Sequence, residues 1–205
     1  MLQRLCIGLA LCLGLGAATA WGAPPKTSDL PKGLGRGAVG LKLGIINTGT
    51  VKLTGRYIQR DTIEVADLEL DPRAAMCGGV YFDVPMVPWF SLLFAADVYD
   101  IRFRTLSERC IDVSAGVKFA LYNHHYRIAW RPGAAVGLGY LADIGFMRPT
   151  TYRTLKAFTE LVIYPRRGQL AYVFDIGMVG APGGGNSTVD VTVAPSFSLR
   201  AGLLH

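Results

Sequence analysis

The stretch Arg109-Cys-Ile-Asp-Val-Ser-Ala-Gly-Val-Lys-Phe-Ala-Leu121 constrains the chain most. Its odd positions, Ile111, Val113, Ala115, Val117, Phe119 and Leu121, are apolar. Its even positions, Cys110, Asp112, Ser114, Gly116, Lys118 and Ala120, are polar or small. Successive side chains of a strand point to opposite faces, so the segment forms a strand with one apolar and one polar face. A half-buried strand of a soluble sandwich alternates in this way. So does a strand of a membrane barrel, whose oily face points outward.

Composition favours the membrane. The 205 residues are 51% hydrophobic and 18% charged, whereas soluble domains carry about a quarter charged residues. Yet beyond the N-terminus no apolar run reaches the roughly 18 residues that mark a membrane helix. The 25 glycines also oppose a helical fold. At the N-terminus, Arg4, the apolar run Leu5 to Leu15 and Ala18-Thr19-Ala20 read as a secretory signal over residues 1–20, with cleavage as late as 23 as an alternative. Residues 21–37 read as an irregular periplasmic lead-in and 38–205 as the folded domain. Export leaves Cys77 and Cys110 in an oxidising compartment. The net charge of +6 comes from scattered cations, which implies no nucleic-acid partner.

Alternation predicts eight strands, near 38–48, 76–84, 90–102, 109–121, 126–141, 152–164, 169–180 and 189–204. Pro132 predicts a bulge in the fifth. Short turns at 85–89, 122–125 and 165–168 alternate with longer connections at 49–75, 103–108, 142–151 and 181–188. The first connection is acidic, with Asp61, Glu64, Asp67, Glu69 and Asp71, and is long enough for a hairpin of its own. Its spacing matches no calcium loop, and it reads as a solvated surface. Short turns at one end and long loops at the other predict an all-β fold: an eight-stranded antiparallel up-and-down transmembrane β-barrel. A secreted soluble β-barrel is the alternative.

The polar face carries Lys42, Lys118, Arg127, Arg131, Lys156 and Arg200, matched by Asp83, Asp97, Asp112, Glu160, Asp175 and Asp190. An eight-stranded barrel is just wide enough for side chains to fill it. Burying an unpaired charge costs several kcal/mol. These twelve residues are therefore predicted to form a balanced interior network rather than to line a pore. Trp89, Phe90, Tyr122, Tyr126 and Tyr164 at the short turns, with Tyr140, Phe146 and Tyr152 near the long loops, are predicted to form interfacial aromatic girdles. Cys77 and Cys110 face inward near the loop end and are candidates for a disulfide. Alternate strands lie about 9–10 Å apart, however, beyond ordinary disulfide reach. Gly133, Gly137 and Gly139 leave the inner wall thin, with room for Tyr81, Phe158 or the arginines, or for a small apolar ligand. Arg102, Arg104, Arg109, Arg148 and Arg153 near the loop ends form either a solvated rim or contacts to lipopolysaccharide phosphates.

The segments Gly78-Gly-Val-Tyr-Phe-Asp-Val-Pro85, Phe90-Ser-Leu-Leu-Phe-Ala-Ala-Asp-Val-Tyr99 and Asp112-Val-Ser-Ala-Gly-Val-Lys118 resemble the small bacterial outer-membrane barrels, namely the OmpA transmembrane domain, OmpX and OmpW-like proteins. The resemblance covers residues 38–205. It implies residence in the outer membrane of a Gram-negative-type bacterium and contact with outer-membrane lipid and lipopolysaccharide. It also implies insertion by the barrel-assembly machinery and a monomeric state. Many such barrels end on an outward aromatic residue; here the outward parity ends on Leu203 and His205. The implied function is non-enzymatic, with a structural, surface-interaction or small-solute role. The alternative is a lipid-modifying enzyme or a small hydrophobic-ligand transporter on the same fold. His124 and His125 sit on a short turn with no serine and acid at that level, and Ser198 and His205 fall on opposite faces. No catalytic, metal or cofactor-binding set is predicted.

Overall fold

The computed structural model describes residues 34, 36–59, 62–70, 74–102, 107–141, 150–166, 170–185 and 189–205. The expected signal segment, most of the lead-in, Arg104, Phe146 and Arg148 lie outside these residues. Eleven strands form one antiparallel sheet, and no helix occurs among the described residues. Eight of the strands make a wall in the order β1 (Ala38–Asn47), β4 (Ala74–Val87), β5 (Phe90–Arg102), β6 (Ser107–Phe119), β8 (Ile128–Leu141), β9 (Thr150–Ile163), β10 (Ala171–Gly185) and β11 (Val189–Leu204). The wall closes where β11 pairs with β1. The last residue takes part, since His205 and Val39 exchange backbone hydrogen bonds of 2.8 and 3.0 Å. Strands of 10–16 residues match the roughly 9–11 needed to cross a bilayer at a tilt.

The acidic connection does contain its own hairpin. β2 (Val51–Gln59) pairs with the first residues of β11, and β3 (Thr62–Leu70) pairs with β2. Gly49 and Thr50 join β1 to β2 without leaving β11: the Gly49 amide donates to Ser196 Oγ at 2.9 Å, and the Ala194 amide donates to the Thr50 carbonyl at 2.9 Å. The hairpin thus carries the sheet beyond the wall at the long-loop end.

Side-chain direction decides what solvates the barrel. Leu43, Val80, Phe94, Val113, Val136, Leu155, Ile176 and Leu199, one from each wall strand, are 45–64% exposed. Asp83, Asp112, Lys118, Arg131, Glu160 and Asp175 have no exposure at all. A soluble barrel reverses this pattern, because a continuous apolar belt in water is unstable. The apolar face of the wall touches lipid, and the soluble alternative is set aside.

Three local departures from the expected strands have clear causes. Pro132 makes no bulge: β6 pairs with β8 down to Lys118 opposite Gly133, and β7 (Leu121–Asn123) resumes at Leu121 opposite Trp130 in unchanged register. The missing proline N–H interrupts the ladder without shifting it. β4 runs on past Pro85, which is absorbed by a register shift between Pro85 and Val87. Near Pro195 and Gly180 the pairing of β10 with β11 shifts twice, which turns the faces over in the upper part of both strands. Val191 is buried there and Asp190 exposed, the reverse of the simple alternation.

Val113 sits midway along β6 on the lipid face. Val113→Arg is expected to lower barrel stability by about 2–4 kcal/mol, the cost of a cation at the bilayer midplane. Urea unfolding in lipid vesicles, read by the heat-dependent gel shift, measures it; an unchanged midpoint would mean that Val113 faces water.

Candidate functional site

Ten of the twelve expected interior charges meet inside the wall. They form one chain of alternating sign: Arg131, Asp83, Lys118, Glu160, Lys42, Asp175, Arg200, Asp97, Lys156, Asp112. Every wall strand supplies at least one member. Lys118 Nζ lies 2.9 Å from both Asp83 and Glu160. Lys42 Nζ donates to Glu160 and, at 2.8 Å, to Asp175. Arg200 spans Asp175 at 2.9 Å and Asp97 at 2.7 Å. Lys156 reaches Asp97 at 2.7 Å, Asp112, and Ser114 Oγ at 3.0 Å. Arg131 donates to Asp83 and also approaches Glu160 at 3.7 Å, closing a ring at that end of the chain. Five cations face five anions.

Alternation produces this arrangement directly. Even-numbered inward positions on β6 and β9 place Asp112, Lys118, Lys156 and Glu160 in the lumen, and odd-numbered positions on β4, β5, β8 and β10 place Asp83, Asp97, Arg131 and Asp175 there. Tyr81 lies between the two central lysines, its ring centre 4.4 Å from Lys42 Nζ and 4.3 Å from Lys118 Nζ. It therefore contributes cation–π attraction where like charges approach.

The other two expected members stand apart. Arg127 sits in the β8–β9 end of the barrel in a left-handed turn conformation, φ 54°. Its Nε donates to the Tyr164 carbonyl at 3.3 Å, so it ties the turn to the end of β9 rather than joining the ladder. Asp190 lies above the register shift of β11 and is exposed on the outer side.

Apolar layers bound the charges at both ends. At the short-turn end, Leu34, Ala38, Leu93, Ala129, Val162, Tyr164, Ala171, Val173 and Leu204 pack together. Leu34, from the lead-in, is 1% exposed and seals that mouth. At the loop end, Ile46, Val51, Ala75, Cys77, Tyr99, Cys110, Leu141, Tyr152, Ala181 and Val191 form the second layer. Sequence reasoning missed both layers. The signal was present in inward-parity positions near strand ends, such as Leu93, Val162, Val173 and Leu204, which are apolar.

The second layer holds both cysteines. They are free and buried, and no disulfide joins them. Register explains why: Tyr99 on β5 pairs with Cys77 on one side and Cys110 on the other. Cys110 Sγ instead contacts the Tyr152 hydroxyl, which lies 2.9 Å from the Tyr99 hydroxyl. The thin inner wall admits aromatic rings. Gly139 pairs with Tyr152 and Gly133 with Phe158, and a Cβ on Gly133 would lie 2.5 Å from the Phe158 ring. Tyr81 packs across Gly40 on β1 instead.

The girdle residues also divide. Trp89, Phe90 and Phe119 cluster on the outside near the short turns, with Trp89 stacked on Phe119 at 6.3 Å. Tyr126 and Tyr140 are exposed, at the turn end and the loop end respectively. Tyr164 is buried inside, edge-on to a half-buried Tyr122 at 5.8 Å. Both have the inward parity of their strands, and parity outweighs the tendency of aromatics to mark the interface. On the turn, Asn123 Oδ1 accepts from the His125 and Tyr126 amides at 3.0 and 3.2 Å. His124 and His125 pack on Tyr122 and Tyr126. At the rim, Arg109 is exposed and reaches Asp100 at 3.5 Å, while Arg153 is exposed on the outer face.

No family model matches the chain, and no curated protein matches it. Solved structures do. Neisserial surface protein A aligns over 82% of this chain and 97% of its own, with a TM-score of 0.56 and 12% identity. OprG of Pseudomonas aeruginosa aligns over 82% and 96%, with a TM-score of 0.49 and 10% identity. Ail of Yersinia pestis aligns over 82% and 99%, with a TM-score of 0.40 and 12% identity. The fold is that of the small bacterial outer-membrane β-barrels. With its apolar outer belt and filled interior, the chain is an eight-stranded barrel of that fold.

Tyr152 is 2% exposed and its hydroxyl serves both Cys110 and Tyr99. Tyr152→Phe removes the hydroxyl that Tyr99 and Cys110 share and is expected to cost about 1–3 kcal/mol in urea unfolding. A loss below about 0.3 kcal/mol would show that water reaches this layer.

Proposed function

We propose that this chain is a closed, non-conducting and non-enzymatic barrel of the Gram-negative outer membrane, with a structural and surface-interaction role. The observation that carries this reading is the filled interior. A balanced ladder of ten charges lies between two apolar layers, and two cavities beside the ladder, of about 30 and 20 Å³, have room for isolated waters. A small-solute pathway needs a continuous lumen, so the surface-interaction role is favoured over the transport role. The β2–β3 hairpin, which extends the sheet beyond the wall at the loop end, is the natural contact region. Residues 1–20 serve as the export signal and 21–37 as the periplasmic lead-in. The barrel works as a monomer inserted by the assembly machinery, with Leu203 and His205 at its closing end.

Planar-bilayer recording tests this. The purified refolded protein is expected to give no unitary conductance steps above those of protein-free bilayers. Reproducible steps of one defined size would replace the closed barrel with a channel.

A further inference from the structure

The two apolar layers that close the lumen are built differently. The loop-end layer is made by the sheet itself, with Tyr99, Leu141 and Tyr152 reaching in from β5, β8 and β9. The turn-end layer has short side chains directly below the ladder. One inward step below Arg131 is Ala129, one below Glu160 is Val162, and one below Asp175 is Val173. Ala38 and Ala171 stand beside them, with Leu93, Tyr164 and Leu204 as the larger members. The residue that completes this layer does not come from the wall. It is Leu34, which precedes the first residue of β1, Ala38, and is 1% exposed.

We propose that Leu34 is a displaceable stopper. Withdrawn, it admits water to the Arg131 end of the ladder, while the loop-end layer stays shut. Two features of the mouth support this. Leu34 lies outside the strands, so it can leave without breaking the wall: β1 pairs with β4 from Ala38 onward, and Val39 closes onto His205. The groups that entering water would meet also have hydrogen bonds to gain. The Tyr164 hydroxyl and Arg131 Nε are buried and have no hydrogen-bond partner among the described residues. Withdrawal exposes the apolar surface of one leucine and its neighbours, and hydration of those two donors offsets part of that cost. Nothing comparable operates at the loop end, where the hydroxyls of Tyr99 and Tyr152 lie 2.9 Å apart and satisfy one another. Closure at the turn end is thus conditional on the lead-in, whereas closure at the loop end is intrinsic to the sheet. The two ends of the charge ladder hydrate independently.

The test measures how fast a small, water-soluble methanethiosulfonate labels a single cysteine in the refolded protein, scored on the heat-shifted folded band. Ala129→Cys, in a background of Cys77→Ser and Cys110→Ser, reports the turn end. Native Cys110, with Cys77→Ser alone, reports the loop end. Both are expected to be protected while Leu34 is present. Leu34→Gly is expected to speed labelling of Ala129→Cys by at least about tenfold, as loss of one buried leucine side chain shifts a local opening equilibrium, and to leave Cys110 as slow as before. Leu34→Met refills the same space and is expected to restore protection. Leu34→Ala, a milder truncation, is measured in parallel, so that a folded variant is compared even where Leu34→Gly gives no folded band. Slow labelling of Ala129→Cys in the truncated variants, or fast labelling already with Leu34 in place, would overturn the stopper. An equal rise at Cys110 would show that the whole barrel loosens, and would overturn the independence of the two ends.

Discussion

Charge inside a narrow barrel has to be neutralised where it stands. Eight strands enclose too little room for charged groups to keep their hydration, and a carboxylate or guanidinium stripped of water costs several kcal/mol unless opposite charge and hydrogen bonds replace it. This chain meets that demand with a single alternating series in which each internal member touches two partners of the other sign. Because every wall strand contributes, the series also specifies register. A strand slipped by one residue would send its charge into lipid and its apolar partner into the lumen.

The outer surface follows from the same alternation. Lipid solvates the apolar faces, so no protein core is needed there, and the interior is free to be polar. The two apolar layers at the ends of the lumen then keep water from entering the charged middle. Tyr81, Tyr152 and Phe158 fill the width of the lumen, each packing over a cross-strand glycine. The wall is thin where the rings are thick, so side chains fill the lumen among the described residues.

Much of this was readable from residues alone. Period-two alternation placed the strands and their faces, and the inward parity of Lys42, Asp83, Asp97, Asp112, Lys118, Arg131, Lys156, Glu160, Asp175 and Arg200 put ten charges in the lumen. What alternation could not carry was anything beyond an irregularity. Asp190 lies past a double register shift near Gly180 and Pro195, and Arg127 lies in a turn with positive φ, so neither keeps the parity of its strand. Tyr122 and Tyr164 show the opposite: beside turns, where interfacial aromatics are expected, they keep the inward parity of their strands and pack against each other inside. The mutual pairing within the ladder, and the Cys110–Tyr152–Tyr99 contact, depend on depth across the lumen, which a one-dimensional pattern does not contain.

The most direct test is a double-mutant cycle on the pair that ends the ladder, with Asp112→Asn, Lys156→Gln and the two combined, measured by urea unfolding in lipid vesicles. In a dry, charge-coupled interior each single change costs about 3–5 kcal/mol, because it leaves a partner uncompensated. The double change then costs less than the sum of the singles by at least about 1 kcal/mol. Singles that each cost under about 0.5 kcal/mol and add without coupling would mean that water, and not the opposite charge, solvates the interior.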